Sequence, residues 1–552
     1  VKQPTNLAGS QGQMASHLTA TLSKIGWLIP GAIMALIVLA PIAYLFVSWT
    51  QIDQQLWQHL RETQLLRLIA NTFILVGGVA VLSAIVGVSL AWLTALCDFP
   101  GRKWLDWALI LPLAIPAYVF AFVVLGIFDF GGPVQHWLSI LWPDYRVTDA
   151  RSTGALILVM TSVLYPYVYL LTRNIFLMQG RAAFDVARSL GATPLQAVMR
   201  VGLPMAKPGI VAGISLIMME TLADFGAVSV FNYDTFTTAI YKSWISMFSL
   251  ATASQLASLL LLFVVSAILV ERTTRGAGRI QQKSSRTDRF RLRGFAAFAA
   301  LSWCFLIFFA AFVSPLLQLL SWALGLVGPG FGLTLVFFGE NTIRLVQNTF
   351  VLALISSILI VSVALLMNLA SRFGGGGQVF SEISGLGYAI PGSVLAVGIV
   401  SVSSHLDSIF SNSASDAALV VGLWGLIFAY LIRFFRPANS PIASAMQRLT
   451  PELGESAQSL GVSKLRIAAS IYIPLLSPGV FAALLLVMID VMKEMPATLM
   501  LRPFGWDTLA TQIYNFTSEG EWQRAAVPAL ILVAVSCLPV IMLIRQSRTS
   551  NR

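Results

Sequence analysis

Runs of about twenty apolar residues recur along the chain, separated by short polar segments. Each is long enough to cross a hydrocarbon core of about 30 Å as an α-helix. They predict spans at 27–49, 69–96, 107–127, 152–172, 209–231, 251–270, 295–323, 342–370, 384–403, 417–432, 479–500 and 524–544. The chain therefore reads as an all-α polytopic membrane protein with about twelve transmembrane helices.

Composition agrees: 57% of the 552 residues are hydrophobic and 11% charged, against roughly 25% charged in soluble domains. An ordinary soluble enzyme is excluded. The net charge of +11 would suggest nucleic acid in a soluble chain, but its distribution assigns it to topology. With the amino terminus inside, the segments 1–26, 97–106, 173–208, 271–294, 371–383, 433–478 and 545–552 hold 26 of the 35 Lys and Arg, as the positive-inside rule requires. Both termini are expected in the cytoplasm, and the basic segments beside anionic lipid headgroups. Cys97, Cys304 and Cys537 lie in or beside apolar runs and read as small buried hydrophobes. The polar stretch before Ser16 reads as a tail preceding a start at Met14.

An internal repeat organises the spans. A shift of 270 residues places Ala187, Ser189, Leu190, Gly191, Pro204, Pro208 and Gly209 on Ala457, Ser459, Leu460, Gly461, Pro474, Pro478 and Gly479. Asn71-Thr72-Phe73 recurs as Asn348-Thr349-Phe350. The expected division is a tail 1–26, a first repeat 27–270, a basic linker 271–294, a second repeat 295–544 and a tail 545–552. Six spans per repeat is an even number, so the halves enter the membrane in the same direction, as parallel repeats about an axis along the membrane normal.

The repeated cytoplasmic segments read Asp185-Val186-Ala187-x-x-x-Gly191 and Glu455-Ser456-Ala457-x-x-x-Gly461. After nine intervening residues each Gly is followed by Val201-x-Leu203-Pro204 or Ile471-x-Ile473-Pro474. A short amphipathic helix, a Gly free to take positive φ, a second helix and a Pro that stops it before the next span make a helix-turn-helix on the membrane surface. This segment resembles the EAA loop of permease subunits of binding-protein-dependent ABC importers, twice and in register. Asp185 and Val186 replace Glu-Ala in the first copy, and Ser456 replaces the middle Ala in the second. The resemblance implies a type I importer permease fold and two partner ATP-binding subunits docked through Asp185, Ala187, Gly191, Pro204, Glu455, Ala457, Gly461 and Pro474. It also implies a periplasmic binding protein and a bacterial inner-membrane location.

None of the eight lysines follows a glycine, so no G-x-x-x-x-G-K-[ST] loop exists to hold ATP phosphates. ATP is expected to be used by the partner subunits, with no cofactor permanently bound here. The four histidines form no H-E-x-x-H pair and no G-x-S-x-G elbow is present.

Beyond each coupling motif an acidic pair enters a span: Glu220 and Asp224, then Asp490 and Glu494. The i, i+4 spacing would put each pair on one face of one helix. Carboxylates at that depth cost several kcal/mol unless they meet a partner or a wet cavity. One reading makes the four line a substrate pathway as transient hard-oxygen ligands of a cation; the other pairs some with Lys493 or uses them as helix caps.

The stretch Lys493-Glu494-Met495-Pro496-Ala497-Thr498-Leu499-Met500-Leu501-Arg502-Pro503-Phe504-Gly505-Trp506-Asp507-Thr508-Leu509-Ala510-Thr511 resembles fused ferric-iron permeases. Leu222 to Ser229 and Asp234 to Tyr241 agree with it. The resemblance implies Fe(III) as the transported substrate; fused thiamine permeases share the plan, and a proton-coupled secondary transporter is the alternative of another class.

Overall fold

The computed structural model describes residues 28–50, 52, 54–129, 132–142, 150–179, 182–275, 289–325, 340–374, 377–410 and 414–549. The start at Met14, the tail 1–26, most of the outer segment 324–341 and the centre of the basic linker lie outside the described residues.

Helices dominate, because long apolar runs in a membrane must satisfy every backbone group internally. Nine described helices are long and apolar enough to span: Leu28–Thr50, Leu65–Leu96, Ala117–Leu141, Thr153–Met178, Val198–Ala223, Leu250–Leu269, Phe295–Ala323, Asn341–Gly374 and Lys464–Lys493. A tenth is the pair Val379–Ala389 and Gly392–His405, bent by 111°. The remaining two expected spans fall on the helices Ala414–Gln447 and Trp522–Thr549.

The segments expected as continuous spans at 107–127 and 384–403 are broken. In the first half a helix Arg102–Ala108 and a 3-10 turn Leu111–Ala114 end at Ile115-Pro116, and a new helix begins at Ala117. In the second half the turn Leu386–Ala389 ends at Ile390-Pro391, and the next helix begins at Gly392. Ala-Ile-Pro occupies the break in both halves. Proline disfavours the helical conformation of the residue before it, and Ile115 and Ile390 are extended at ψ 119° and 127°.

Each half's first span leans on the other half. A Cβ on Gly31 would meet Phe380 at 2.9 Å, and Pro41 packs on Gly398. Conversely, Phe308 packs edge-on to Trp104 with ring centroids 5.0 Å apart, and Trp322 stacks on Phe122 at 6.2 Å. The exchange joins the halves into one body around the axis. Among the described residues the only strands are Cys97–Asp98 and Phe290–Arg291, a parallel pair that fixes the end of the linker to the first half. Cys97 and Cys304 are buried and free, and Cys537 is partly buried and free.

Candidate functional site

The two repeated hairpins form as expected up to their closing prolines. Helices Ala182–Ser189 and Pro451–Ser459 end in the same turn. Gly191 N–H donates to Arg188 O and Ala192 N–H to Ala187 O; Gly461 N–H donates to Gln458 O and Val462 N–H to Ala457 O. The glycines sit at φ 90° and 79°, and a Cβ added to either would find nothing within 4 Å, so backbone conformation and not space requires Gly there. Asp185 and Glu455 are exposed, and so are Leu190 (83%) and Leu460 (84%), which stand beside the turn on each hairpin.

Pro204 and Pro474 do not stop the second hairpin helix. A π turn at Val198–Gly202 and another at Ala468–Tyr472 precede them, and the helix runs on into Leu203–Ala223 and Ile473–Lys493. The wider turn absorbs the missing proline N–H and the ring's demand for room. The second hairpin helix and the acid-bearing helix are thus one continuous rod in each half.

The rod ends between the members of each acidic pair, so the i, i+4 pairs do not share one helix. Asp224 and Glu494 adopt extended backbone at ψ 128° and 121°. Asp224 Oδ1 accepts from the N–H groups of Ala227 (2.9 Å) and Val228 (3.2 Å), which open the short helix Gly226–Val230. Glu494 accepts from Ala497 N–H (2.9 Å), Thr498 N–H (2.9 Å) and the Thr498 hydroxyl (2.7 Å), at the start of Pro496–Leu501. Both are caps in the electrostatic sense, a carboxylate on the positive end of a helix.

Glu220 and Asp490 remain one turn back on the rods. Tyr388, from the 3-10 turn of the other half, donates its hydroxyl to Glu220 Oε1 at 3.0 Å. Lys493 reaches across in the opposite sense and donates to the carbonyl of Leu113 at 3.1 Å. Leu113 and Tyr388 hold the same place, the residue before Ala-Ile-Pro. Each rod therefore touches the broken span of the opposite half. The four carboxylates do not assemble as one ligand set: among the described residues no three His, Cys, Asp or Glu side chains converge to hold a metal ion. Two of the four are already committed to capping.

Sequence reasoning missed Tyr388 and Arg433. A Cβ on Gly392 would lie 2.6 Å from Glu494 Oε1 and 2.8 Å from Arg433 Nη1, so this cation stands beside the cap at the second break. The signal was present in the repeated Ala-Ile-Pro and in an arginine inside an apolar run. The stretches that carry the substrate resemblance turn out to be local scaffolding. Thr235 with Thr238 and Thr508 with Thr511 form capping boxes, and Asn71 and Asn348 clamp those loops by donating to the carbonyls of Asp234 and Asp507.

The family described as "Binding-protein-dependent transport system inner membrane component" matches the chain twice, over residues 85–272 and 360–548. This chain belongs to that family. Both matched regions include a broken span, a surface hairpin and an acid-bearing rod, so the permease carries the family's unit in duplicate. It is 28% identical over 484 residues to the Fe(3+)-transport system permease protein FbpB 2 of Haemophilus influenzae, covering 86% of this chain and 89% of that protein. The sulfate transport system permease protein CysT of Escherichia coli is 29% identical over 196 residues, 35% of this chain and 69% of that one. A bacterial alginate ABC transporter structure, in complex with an alginate-bound periplasmic protein, aligns at 19% identity and a TM-score of 0.38 over 46% of this chain and 95% of its own. The permease is a multi-pass transport subunit, and its two hairpins present the same exposed leucine beside the same glycine turn.

Proposed function

We propose that this permease is the membrane subunit of an ATP-driven importer that takes ferric iron from a periplasmic binding protein and releases it into the cytoplasm. The observation that carries the substrate is likeness over 86% of this chain, both repeats included, to a protein named for Fe(3+) transport; the sulfate permease covers one third. The mechanism is supported by the rods. Two ATP-binding subunits grip the hairpins around Leu190-Gly191 and Leu460-Gly461, on the cytoplasmic side with both termini. Their closure moves each rod as a lever and shifts Glu220 and Asp490 against the broken spans of the opposite half. Interactions of Tyr388 with Glu220 and Lys493 with Leu113 then form in one state and part in the other.

The test is uptake of radiolabelled Fe(III) in cells lacking this gene, restored with wild type or with Glu220→Gln and Asp490→Asn together. The expected result is loss of uptake, rescue by wild type and at least about tenfold lower rescue by the double variant at equal membrane level. Unchanged iron uptake in a strain without another iron importer, with loss of thiamine or sulfate uptake instead, would reassign the substrate and leave the family intact.

A further inference from the structure

The two hairpins are braced by different parts of the chain. In the second half the brace is the end of the helix Glu340–Gly374. Arg372 donates from Nε to the Tyr472 hydroxyl (3.3 Å) and from Nη2 to the carbonyl of Leu449 (2.8 Å), just before the hairpin. Phe373 packs edge-on to Tyr472 with ring centroids 5.7 Å apart, and Lys464 of the hairpin donates back to the Phe373 carbonyl at 3.4 Å. At the register that places Asn71 on Asn348, Arg372 and Phe373 fall on Ala95 and Leu96, which supply neither a guanidinium nor a ring. In the first half the linker brings another Arg-Phe to that place. Arg289 donates from Nε to the carbonyl of Ala95 at 3.1 Å, and Leu292 N–H donates to the carbonyl of Asp98 at 3.0 Å, on either side of the pairing of Cys97 with Phe290. Phe290 stacks on Trp92 (6.5 Å, 20°) and meets Phe184 of the hairpin edge-on (6.3 Å, 78°). Trp92 meets Phe184 edge-on at 5.0 Å, so three rings from the span, the hairpin and the linker form one cluster.

We propose that Arg289 to Leu292 is a strap that positions the first hairpin for its ATP-binding subunit, in place of the Arg372-Phe373 brace that positions the second. The proposal rests on the reading that the hairpins receive the ATP-binding subunits. A helix as short as Ala182–Ser189 has little stability of its own and takes its order from packing. Its buried anchor is Phe184, 1% exposed, while Leu190 at its far end is left outward for a partner. Phe290 closes one side of that anchor, and the backbone pairing with Cys97 and Asp98 fixes where Phe290 stands. Without the strap the ring of Phe184 keeps Trp92 but loses its second edge-on partner, and the hairpin is free to tilt. The strap also runs between halves: the helix Phe295–Phe308, first of the second half, begins three residues after Leu292. Movement of the first hairpin is therefore shared with the second half, whereas the Arg372-Phe373 brace and its hairpin belong to the same half.

The experiment uses the full-length permease in lipid nanodiscs, with hydrogen–deuterium exchange read over both hairpins and then titration with the purified ATP-binding subunit. Phe290→Ala should raise exchange in the first hairpin about tenfold, leave the second unchanged, and weaken one of the two subunit sites about tenfold. Phe290→Tyr, which keeps the ring, should match wild type in both readouts. Arg372→Gln is the mirror variant and should loosen the second hairpin while sparing the first, so each variant carries its own control for folding. Unchanged exchange in the first hairpin of Phe290→Ala, or an equal rise in both hairpins, would overturn the strap. Wild-type affinity at both sites despite a loosened first hairpin would overturn its positioning role. Failure of the wild-type permease to bind the subunit at all would instead remove the docking reading on which the proposal rests.

Discussion

The two halves solve the same packing problem with the side chains exchanged. In the first, Phe184 of the hairpin fills the space over Gly202 of the π turn, where an added Cβ would meet its ring at 2.8 Å. In the second, the partners at the 270-residue offset are Gly454 and Tyr472, and it is Tyr472 whose ring and hydroxyl fill the space over Gly454. Both aromatic rings are 1% exposed. The repeat therefore fixes the volume of the contact and leaves free which side of it supplies the ring. Other pairs show the same division. Backbone devices recur without change: the positive-φ glycines, the π turns, the Ala-Ile-Pro breaks and the carboxylate caps. Side chains that cross the axis differ, with Leu113 against Tyr388 and Ala223 against Lys493.

The exchange makes the largest prediction. Gly202→Phe puts a second ring into a filled site, and overpacking of this kind costs about 1–3 kcal/mol or more. The expected outcome is a sharply reduced yield of folded permease and a lower midpoint in thermal unfolding. Adding Phe184→Gly to that variant copies the second half's arrangement and should recover most of the loss, though incompletely because Trp92 stands 3.4 Å from the same position. If the pair is no more stable than the single variant, the halves are not interchangeable at this contact.

The hairpins come next, because there the halves are alike. Leu190→Asp and Leu460→Asp alter side chains that are exposed on this chain, so thermal stability should change by less than about 0.5 kcal/mol. Each should weaken binding of an ATP-binding subunit by about tenfold or more, as expected for a central apolar anchor. Equal losses on the two sides, measured by affinity of the purified subunits, would show symmetric docking. A loss confined to one hairpin would show that the ATP-binding subunits dock unequally. Gly191→Val and Gly461→Val meet no clash but force a β-branched residue to positive φ, at about 1–2 kcal/mol. They should separate ATP hydrolysis from uptake in reconstituted vesicles, leaving hydrolysis while transport falls.

Much of this was legible in the sequence, and the reasons for success and failure are physical. Apolar run length located the spans, and the 270-residue offset located both hairpins with their glycine turns, because turn chemistry is local. The breaks at Ile115-Pro116 and Ile390-Pro391 were hidden inside runs apolar enough to read as continuous spans; hydropathy does not register where a backbone bends. The π turns were hidden for the related reason that a proline usually ends a helix, and here the preceding turn widens to take it. The acidic pairs were found, but spacing alone could not divide them. That division depended on where each rod stops, which the extended backbone of Asp224 and Glu494 decides. Tyr388 acquired its place only through the fold, since it lies 168 residues from Glu220 in the chain.

That division gives the smallest expected effect and the sharpest test of the site. Asn caps a helix about as well as Asp, so Asp224→Asn should change stability by less than about 1 kcal/mol, while Asp224→Ala, which removes the acceptor, should cost about 1 kcal/mol. Glu494→Gln keeps one acceptor oxygen for three donors and should cost slightly more than its counterpart. In both halves uptake by the amide variants should stay close to wild type, in contrast with Glu220→Gln and Asp490→Asn. The contrast follows from geometry: a capping carboxylate whose oxygens already hold two backbone N–H groups has little left to offer a passing cation, whereas a carboxylate one turn back, held by one phenol or by none, is available. Loss of uptake on Asp224→Asn at unchanged thermal stability would return the capping acids to the pathway and show that the caps open during transport.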